Sequence, residues 1–211
     1  DSEPMYYENL PFRFDTRGII YNKRGHVYKV NLGTNKFNKI VDGDKNQIIS
    51  IGSLVESDKG IVFSYEKYNS KGTMLEEKVG SLETKKIKEI HSRGSMGNLF
   101  YYEGDLHAVG LKNRFDWPTN TSILKISSDG KVSFRHRTFD RNVVKAEVNN
   151  SVLYFLYEDS GKTLLRDGTN NIDLIDAEIT VKDFAFNNDK TYVIANSFSK
   201  PDEVYELNNG Q

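Results

Sequence analysis

The chain has 211 residues, 37% of them hydrophobic and 12% aromatic, which is enough to bury the core of one folded domain. Its 29 basic and 30 acidic residues give a net charge of −1, which excludes the basic footprint of a nucleic-acid binder. There is no cysteine for a disulfide or a cysteine-based zinc site, and no apolar run approaches the roughly 20 residues of a membrane-spanning helix.

Short apolar runs, interrupted by Gly, Asn, Asp and Ser, follow one another from the start of the chain to its end. No long stretch carries an apolar stripe at helical spacing. Short runs of this kind, bounded by turn-forming residues and rich in aromatic side chains, are typical of strands. The sequence therefore predicts an all-β protein.

Turns recur along the chain in two groups. One group joins two apolar runs and starts at Asp15, Ser57, Glu103, Asn149 and Asn187, with steps of 42, 46, 46 and 38 residues. The other is a hairpin, first seen at Val27–Phe37 and aligned on Lys29, Lys78, Lys125, Arg166 and Glu206, with steps of 49, 47, 41 and 40 residues. Both periods match the about 40–50 residues of a four-stranded propeller blade.

These periods divide the chain into five repeats of four strands, which we label a to d. They predict a five-bladed β-propeller of four-stranded antiparallel blades, forming a single domain over residues 1–211. The repeats cover approximately residues 11–42, 47–92, 95–139, 143–176 and 179–211. In the third repeat, strands a to d are predicted at residues 98–102, 106–111, 122–127 and 132–137. The alternative is a fragment of a larger propeller.

The fifth repeat stops at the turn where its strand d would begin. Met5–Leu10 precede the first strand a and have no other predicted partner. Residues 4–10 are therefore predicted to supply the last strand and to close the ring. Closure of this kind leaves no open blade edge that would need protection.

The hairpin Tyr28–Lys36, with the sequence YKVNLGTNK, resembles the c–d hairpin of bacterial β-propeller repeats of the TolB-like, low-density-receptor-like and PQQ-like types. The resemblance extends over all five repeats and implies the fold without a particular activity. Two features depart from those types. The chain has no YWTD tetrapeptide, and its one Trp, Trp117, lies outside the repeat position of the PQQ-like Trp.

Ligand binding is predicted at one face of the propeller, where the b–c and d–a connections emerge; we call it the loop face. These connections vary more in the chain than the a–b and c–d turns of the other face. The third b–c connection combines Arg114, Phe115, Asp116 and Trp117, a mixture suited to stacking on a sugar or a base or to anchoring a protein. The alternative is that both aromatic rings fold onto their own blade.

Two further arginines, Arg93 and Arg141, lie in the d–a connections that should flank this loop. With Arg114 they would place three guanidinium groups on the loop face, a set suited to a carboxylate or a phosphate. The alternative is a group of solvated arginines that pair with Asp116 and Asp140.

No metal and no cofactor is predicted. The four histidines are scattered without a metal-binding spacing, and the stretch Asp42–Asn46 starts like a calcium loop but lacks the Gly and the acid that an EF-hand needs further on. Calcium bound in another geometry stays open. The acids of the predicted inner strands show no clear converging pair for a glycosidase, and Glu147 follows Lys145 at a spacing that suits an ion pair.

These observations favour a non-catalytic binding domain that recognises a protein or a carbohydrate through its loop face. The alternative is a carbohydrate-active hydrolase of the five-bladed glycosidase type, with carboxylates in the central channel such as Asp15, Glu56, Glu147 or Asp183. The start at Asp1, without Met or a signal-peptide pattern, fits a mature N-terminus after processing and equally an arbitrary boundary of the sequence. A protein that is secreted or at the cell surface is favoured, with a cytoplasmic location left open. The sequence indicates no oligomeric state.

Overall fold

The structure is a computed structural model that divides into two compact units, Asp1–Ser95 and Met96–Gln211. It describes residues 24–57, 60–71, 74–83, 86–92, 94–113, 119–135, 139–175, 178–188 and 190–207, and the backbone alone at 12–14 and 18–20. The described residues form antiparallel sheets and one short helix, which confirms the predicted all-β class.

The sequence predicts that the first repeat forms one four-stranded sheet, and the structure differs from this prediction. Two separate antiparallel hairpins form instead, made by β1 (Phe12–Phe14) with β2 (Gly18–Ile20) and by β3 (Val27–Asn31) with β4 (Lys36–Val41). Within the described ranges, no hydrogen-bonded register joins β2 to β3. Most of β3 and β4 is exposed, so little apolar burial holds their two-stranded sheet against others.

Helix α1 (Gly43–Asn46), which the sequence did not predict, follows β4. Asp42 caps it, because its carboxylate accepts a hydrogen bond from the Asp44 N–H at 3.1 Å. Gln47 ends it in the left-handed region, with φ of 55°. The stretch that starts like a calcium loop therefore begins a single helical turn. Among the described residues no helix is long and apolar enough to cross a membrane.

The second repeat forms the predicted four-stranded sheet. Its strands pair in chain order as β5 (Ile48–Ser57), β6 (Gly60–Tyr68), β7 (Leu75–Glu83) and β8 (Lys86–His91). Ile48, Phe63 and Tyr65 of this sheet pack with Val41 in the core of the first unit. Because successive residues of a strand face opposite sides, Phe63 and Tyr65, two positions apart, face the same side and can share this core.

The third and fourth repeats also form four-stranded antiparallel sheets. The third contains β9 (Ser95–Tyr102), β10 (Asp105–Leu111), β11 (Ser122–Ile126) and β12 (Val132–Phe134). The fourth contains β13 (Asn142–Asn149), β14 (Val152–Asp159), β15 (Lys162–Asp167) and β16 (Ile172–Asp173).

Strand d of the third repeat is described only in part. Strand β12 spans Val132–Phe134, and residues 136 and 137 of the predicted edge strand lie outside the described residues. The Arg135 N–H still donates to the Ile123 carbonyl at 2.9 Å, and the side chain of Arg135 packs on the sheet. Its guanidinium lies 5.0 Å from the centre of the Tyr102 ring and 2.9 Å from the Glu103 carboxylate.

The fifth repeat has three described strands, as predicted: β17 (Thr180–Asn187), β18 (Lys190–Ser197) and β19 (Lys200–Leu207). Met5–Leu10, the predicted fourth strand, lie outside the described residues, so the closure of the ring stays a prediction. β19 is therefore the edge of its sheet within the described ranges.

The core of the second unit lies between consecutive sheets. Phe155 belongs to the cluster between the third and fourth sheets, with Phe100 and Ile123, and the next residue, Leu156, belongs to the cluster with Phe184 and Val193 of the fifth. β14 is thus buried on both faces, which explains its nearly continuous apolar sequence.

The innermost strands of the fourth and fifth sheets carry β-bulges at equivalent positions. In β13 the register shifts between Val143 and Lys145, and in β17 it shifts between Val181 and Asp183. A bulge redirects the side chain that follows it. Lys145 and Asp183 are these side chains.

Candidate functional site

Most of the predicted ligand-binding residues lie outside the described residues. These are Arg93, Arg114, Phe115, Asp116 and Trp117, and their part in a site stays a prediction. Arg141 is described. It immediately precedes β13, in the connection from the third sheet to the fourth, and so lies at the sheet ends where the loop face is predicted.

Arg141 is held by oxygens of two connections. Its Nε donates to Asp159 Oδ1 at 2.9 Å, and its Nη1 donates to the Asp140 carbonyl oxygen at 2.7 Å. The Asp140 carboxylate instead accepts a hydrogen bond from Asn120 Nδ2 at 3.2 Å. Because Asp159 ends β14, the ion pair ties the β12–β13 connection to the β14–β15 turn. The sequence predicted Asp140 as a partner of the arginines and missed Asp159.

Asn142 joins the same region to β11. Its Oδ1 accepts a hydrogen bond from the Thr121 N–H at 3.0 Å, and its Nδ2 donates to Glu158 Oε2 at 2.6 Å. A backbone hydrogen bond of 3.0 Å from the Val143 N–H to the Thr121 carbonyl reinforces the junction. The starts of β11 and β13 and the end of β14 are therefore fixed to one another, so the polar groups between them are already ordered.

The β14–β15 turn presents two charged residues side by side. Asp159 pairs with Lys162 in the strand register, and the two residues between them, Ser160 and Gly161, have φ of 50° and 79°. Two positive φ values are the mark of a type I′ turn, whose twist matches that of the strands it joins. The local sequence Asp-Ser-Gly-Lys suits this turn, because Gly adopts a positive φ without steric cost.

These groups surround a cleft of about 410 Å³ in the second unit. Its lining comes from the b–c and d–a connections and includes two amides, two acids and two bases: Asn120, Asn142, Glu158, Asp159, Arg141 and Lys162. The volume falls in the range of about 300–1,000 Å³ that is usual for ligand pockets. Asn142, Glu158, Asp159 and Lys162 were not predicted individually, but their connections were predicted to form the loop face.

Two of the inner-strand acids, Glu147 and Asp183, share one lysine. Lys145 Nζ lies 2.7 Å from Asp183 Oδ1 and 3.5 Å from Glu147 Oε2, so one ammonium pairs with both carboxylates. Burial raises the pKa of the Asp183 carboxyl, but hydrogen bonds from Lys145 and from the Phe184 N–H outweigh burial and hold this pKa below its usual value. A glycosidase acid requires the opposite shift. Asp15 lies outside the described residues.

One group of potential metal ligands is present in the first unit. Side-chain atoms of His26, Asp42 and Asp44 lie within 4.8 Å of one another. However, His26 Nδ1 accepts a hydrogen bond from the Gly43 N–H at 3.1 Å, and Asp42 caps helix α1. With its Nδ1 lone pair occupied, the neutral ring carries its proton on Nε2 and offers no free lone pair to a cation. The group is explained as the support of α1.

Comparison with solved structures shows what the arrangement of sheets resembles. The β-propeller domain of the Trilobed protease from Pyrococcus furiosus, which has an open velcro topology, superposes with a TM-score of 0.54 at 12% identity. The match covers 87% of this chain and 73% of that one. The fold is a β-propeller.

The chain also superposes on acylaminoacyl peptidase from Pyrococcus horikoshii, with a TM-score of 0.72 at 14% identity. The match covers 99% of this chain and 33% of that one, so the chain spans about a third of the length of that peptidase. No protein-family model matches the sequence. No curated protein matches it either. The resemblance of the propeller repeats to the TolB-like, low-density-receptor-like and PQQ-like types thus stays a prediction.

Proposed function

We propose that this propeller is a non-catalytic binding domain that recognises a protein or carbohydrate ligand through its loop face. The observation that carries the proposal is the cleft beside Arg141, where separate connections meet around ordered polar groups. Loops positioned by a rigid sheet scaffold are the usual place for ligand contacts. The shared ion pair of Lys145 with Glu147 and Asp183 supports a binding role over hydrolysis.

Two defined arrays test the proposal, one of immobilised glycans and one of synthetic peptides. They are probed with the wild-type chain, with Arg141→Ala and with Lys131→Ala as the matched control. Lys131 also forms an exposed ion pair, at 2.8 Å from Asp129, but it lies in the β11–β12 turn at the opposite end of the third sheet.

We expect binding to at least one array, with an affinity that falls about tenfold in Arg141→Ala, equivalent to about 1.4 kcal/mol. Lys131→Ala should bind like the wild type. Binding to neither array, or the same loss in both variants, would overturn the proposal.

The finer description of the fold is also a proposal: five blades, with Met5–Leu10 as the fourth strand of the last. Its support is the contrast between the three described strands of the fifth sheet and the four strands of the second, third and fourth sheets. An edge strand presents unpaired N–H and C=O groups that can accept one more strand.

A further inference from the structure

We infer that the ligand of the cleft beside Arg141 is a neutral, hydroxyl-rich carbohydrate. This inference rests on the proposed function and names its ligand class. It depends on three properties of the described lining, which are its charge balance, its lack of apolar side chains and the hydrogen-bonding groups that it leaves open.

The charges of the described lining cancel. Arg141 and Lys162 are matched by Glu158 and Asp159, and the Arg141 guanidinium is already bonded to Asp159 and to the Asp140 carbonyl. A phosphate or carboxylate ligand would have to compete with Asp159 for this guanidinium and would approach a second acid, Glu158. Because like charges at close range repel, the cleft is poorly suited to an anion. Its own cations oppose a cationic ligand in the same way.

The described lining contains no apolar side chain. Interfaces with proteins usually gain most of their affinity from a few aromatic or aliphatic anchors that fill dry pockets. No described residue provides such a pocket here. The side chains are amides, carboxylates, hydroxyls and cations instead, which suit a ligand that is recognised through hydrogen bonds.

The open groups match the hydrogen-bonding capacity of sugar hydroxyls. Within the described part of the chain, the Lys162 ammonium, Asp159 Oδ2 and Glu158 Oε1 have no hydrogen-bond partner, although the other oxygen of each acid is engaged. A sugar hydroxyl both donates and accepts, so neighbouring hydroxyls can bridge an ammonium and a carboxylate oxygen. The engaged oxygens hold each acid in position, which reduces the entropy lost on binding.

Isothermal titration calorimetry with defined oligosaccharides tests this inference. The probes are cellohexaose, mannohexaose and arabinohexaose as neutral chains, and hexagalacturonic acid as an acidic one. The proteins are the wild type, Arg141→Ala, Lys162→Ala and the control Lys131→Ala, each checked for an unchanged thermal unfolding midpoint. Lys162 is half-buried at the start of β15, next to the β14–β15 turn, so the unfolding midpoint shows directly whether its truncation leaves the fold intact.

We expect at least one neutral oligosaccharide to bind, with an affinity lower by about tenfold in Arg141→Ala and Lys162→Ala and unchanged in Lys131→Ala. Because no net charge is involved, the affinity should change less than about twofold between about 50 mM and about 500 mM salt. Binding of the acidic chain alone, or affinity that falls steeply with salt, would overturn the inference.

The failures of the two proposals are distinguishable. Peptide binding that depends on Arg141, without binding of any neutral oligosaccharide, would overturn the carbohydrate assignment and leave the binding function standing. The absence of binding to every probe on both arrays and in the calorimeter would overturn both.

Discussion

The Lys145 ammonium lies 2.7 Å from Asp183 Oδ1, so a cation on β13 neutralises a carboxylate at the equivalent bulge position of β17. The same ammonium donates to the Phe184 carbonyl at 2.9 Å and lies 4.6 Å from the centre of the Phe184 ring. These contacts connect the innermost strands of the fourth and fifth sheets through polar groups, beside the apolar cluster that the two sheets share.

Lys145→Met is expected to lower the free energy of unfolding by about 1 kcal/mol at neutral pH, since the partly exposed pair is screened by solvent. The hydrogen bond from Lys145 contributes to a pKa of Asp183 that is lower in the folded state than in the unfolded chain. The stabilisation is therefore present above the unfolded pKa of about 3.9 and is lost as the pH falls through the folded value. Urea denaturation at pH about 7 and about 3 measures both differences. An equal difference at the two pH values would contradict the assignment.

Gly168→Ala should destabilise the chain by about 1–3 kcal/mol through overpacking. A Cβ at this position would lie 2.6 Å from Phe155 Cε1, and Phe155 is fully buried. Gly104→Ala is the control: no heavy atom lies within 4 Å of the added Cβ, and only the φ of 79° opposes it, at about 1 kcal/mol. Chemical denaturation compares the two variants. A larger loss in Gly104→Ala than in Gly168→Ala would show that the contact with Phe155 is relieved at little cost.

His107 is expected to make the chain less stable in mild acid. The ring is buried on β10, stacks on Phe100 at 5.6 Å, and its Nε2 has no hydrogen-bond partner among the described residues. Burial lowers the pKa of His107, and the hydrogen bond with the Asp105 carbonyl only partly offsets this. Because the unfolded chain then binds the proton more readily, the free energy of unfolding falls as the pH drops below about 6.5, by at most about 1.4 kcal/mol per pH unit.

His107→Leu removes this titration, so its stability relative to the wild type should rise as the pH falls from about 7 to about 5. Urea denaturation over that range gives the comparison. Parallel stability curves for the two chains would show that His107 takes up its proton in the folded state as easily as in the unfolded one.

Deletion of residues 1–10 should lower the thermal unfolding midpoint by at least about 4 °C if Met5–Leu10 pair with β19. A variant that lacks only residues 1–4 is the control and should melt like the wild type. Equal midpoints for all three chains would contradict closure by this strand. That result would favour an open ring, like the open velcro topology of the Trilobed protease propeller.

Much of the sheet arrangement is predictable because the spacing of the turn residues gives the length of each repeat. Turns such as Asn149-Asn150-Ser151 have conformational requirements that only a few residue types meet, so they are visible without contacts. The first repeat was predicted less well. Its two hairpins form as expected, but its pairing as one sheet depends on contacts between strands, which turn residues do not encode.

The sequence predicted where on the fold the candidate site lies but not which residues pair within it. The variable connections pointed to the loop face, and Arg141 lies in one of them. The partner Asp159 was missed because it comes from a different connection, 18 positions further along the chain. The ion pair between Lys145 and Asp183 is indicated by the spacing of the two residues in the sequence. Their separation of 38 residues equals the step between the turns at Asn149 and Asn187, which places both residues at the same point of their repeats.

Residues near the bulges of the inner strands contact the next sheet, so the contacts between sheets depend on the order of the repeats. Lys145 of the fourth sheet meets Asp183 of the fifth, and Asn98 of the third accepts a hydrogen bond from the Ala146 N–H of the fourth. A gene duplication that placed two fourth repeats in tandem would set lysine against lysine at this point. The repeats share one architecture, but each is fitted to its neighbour, so modules of this chain could not be shuffled or multiplied without redesigning the residues at the bulges.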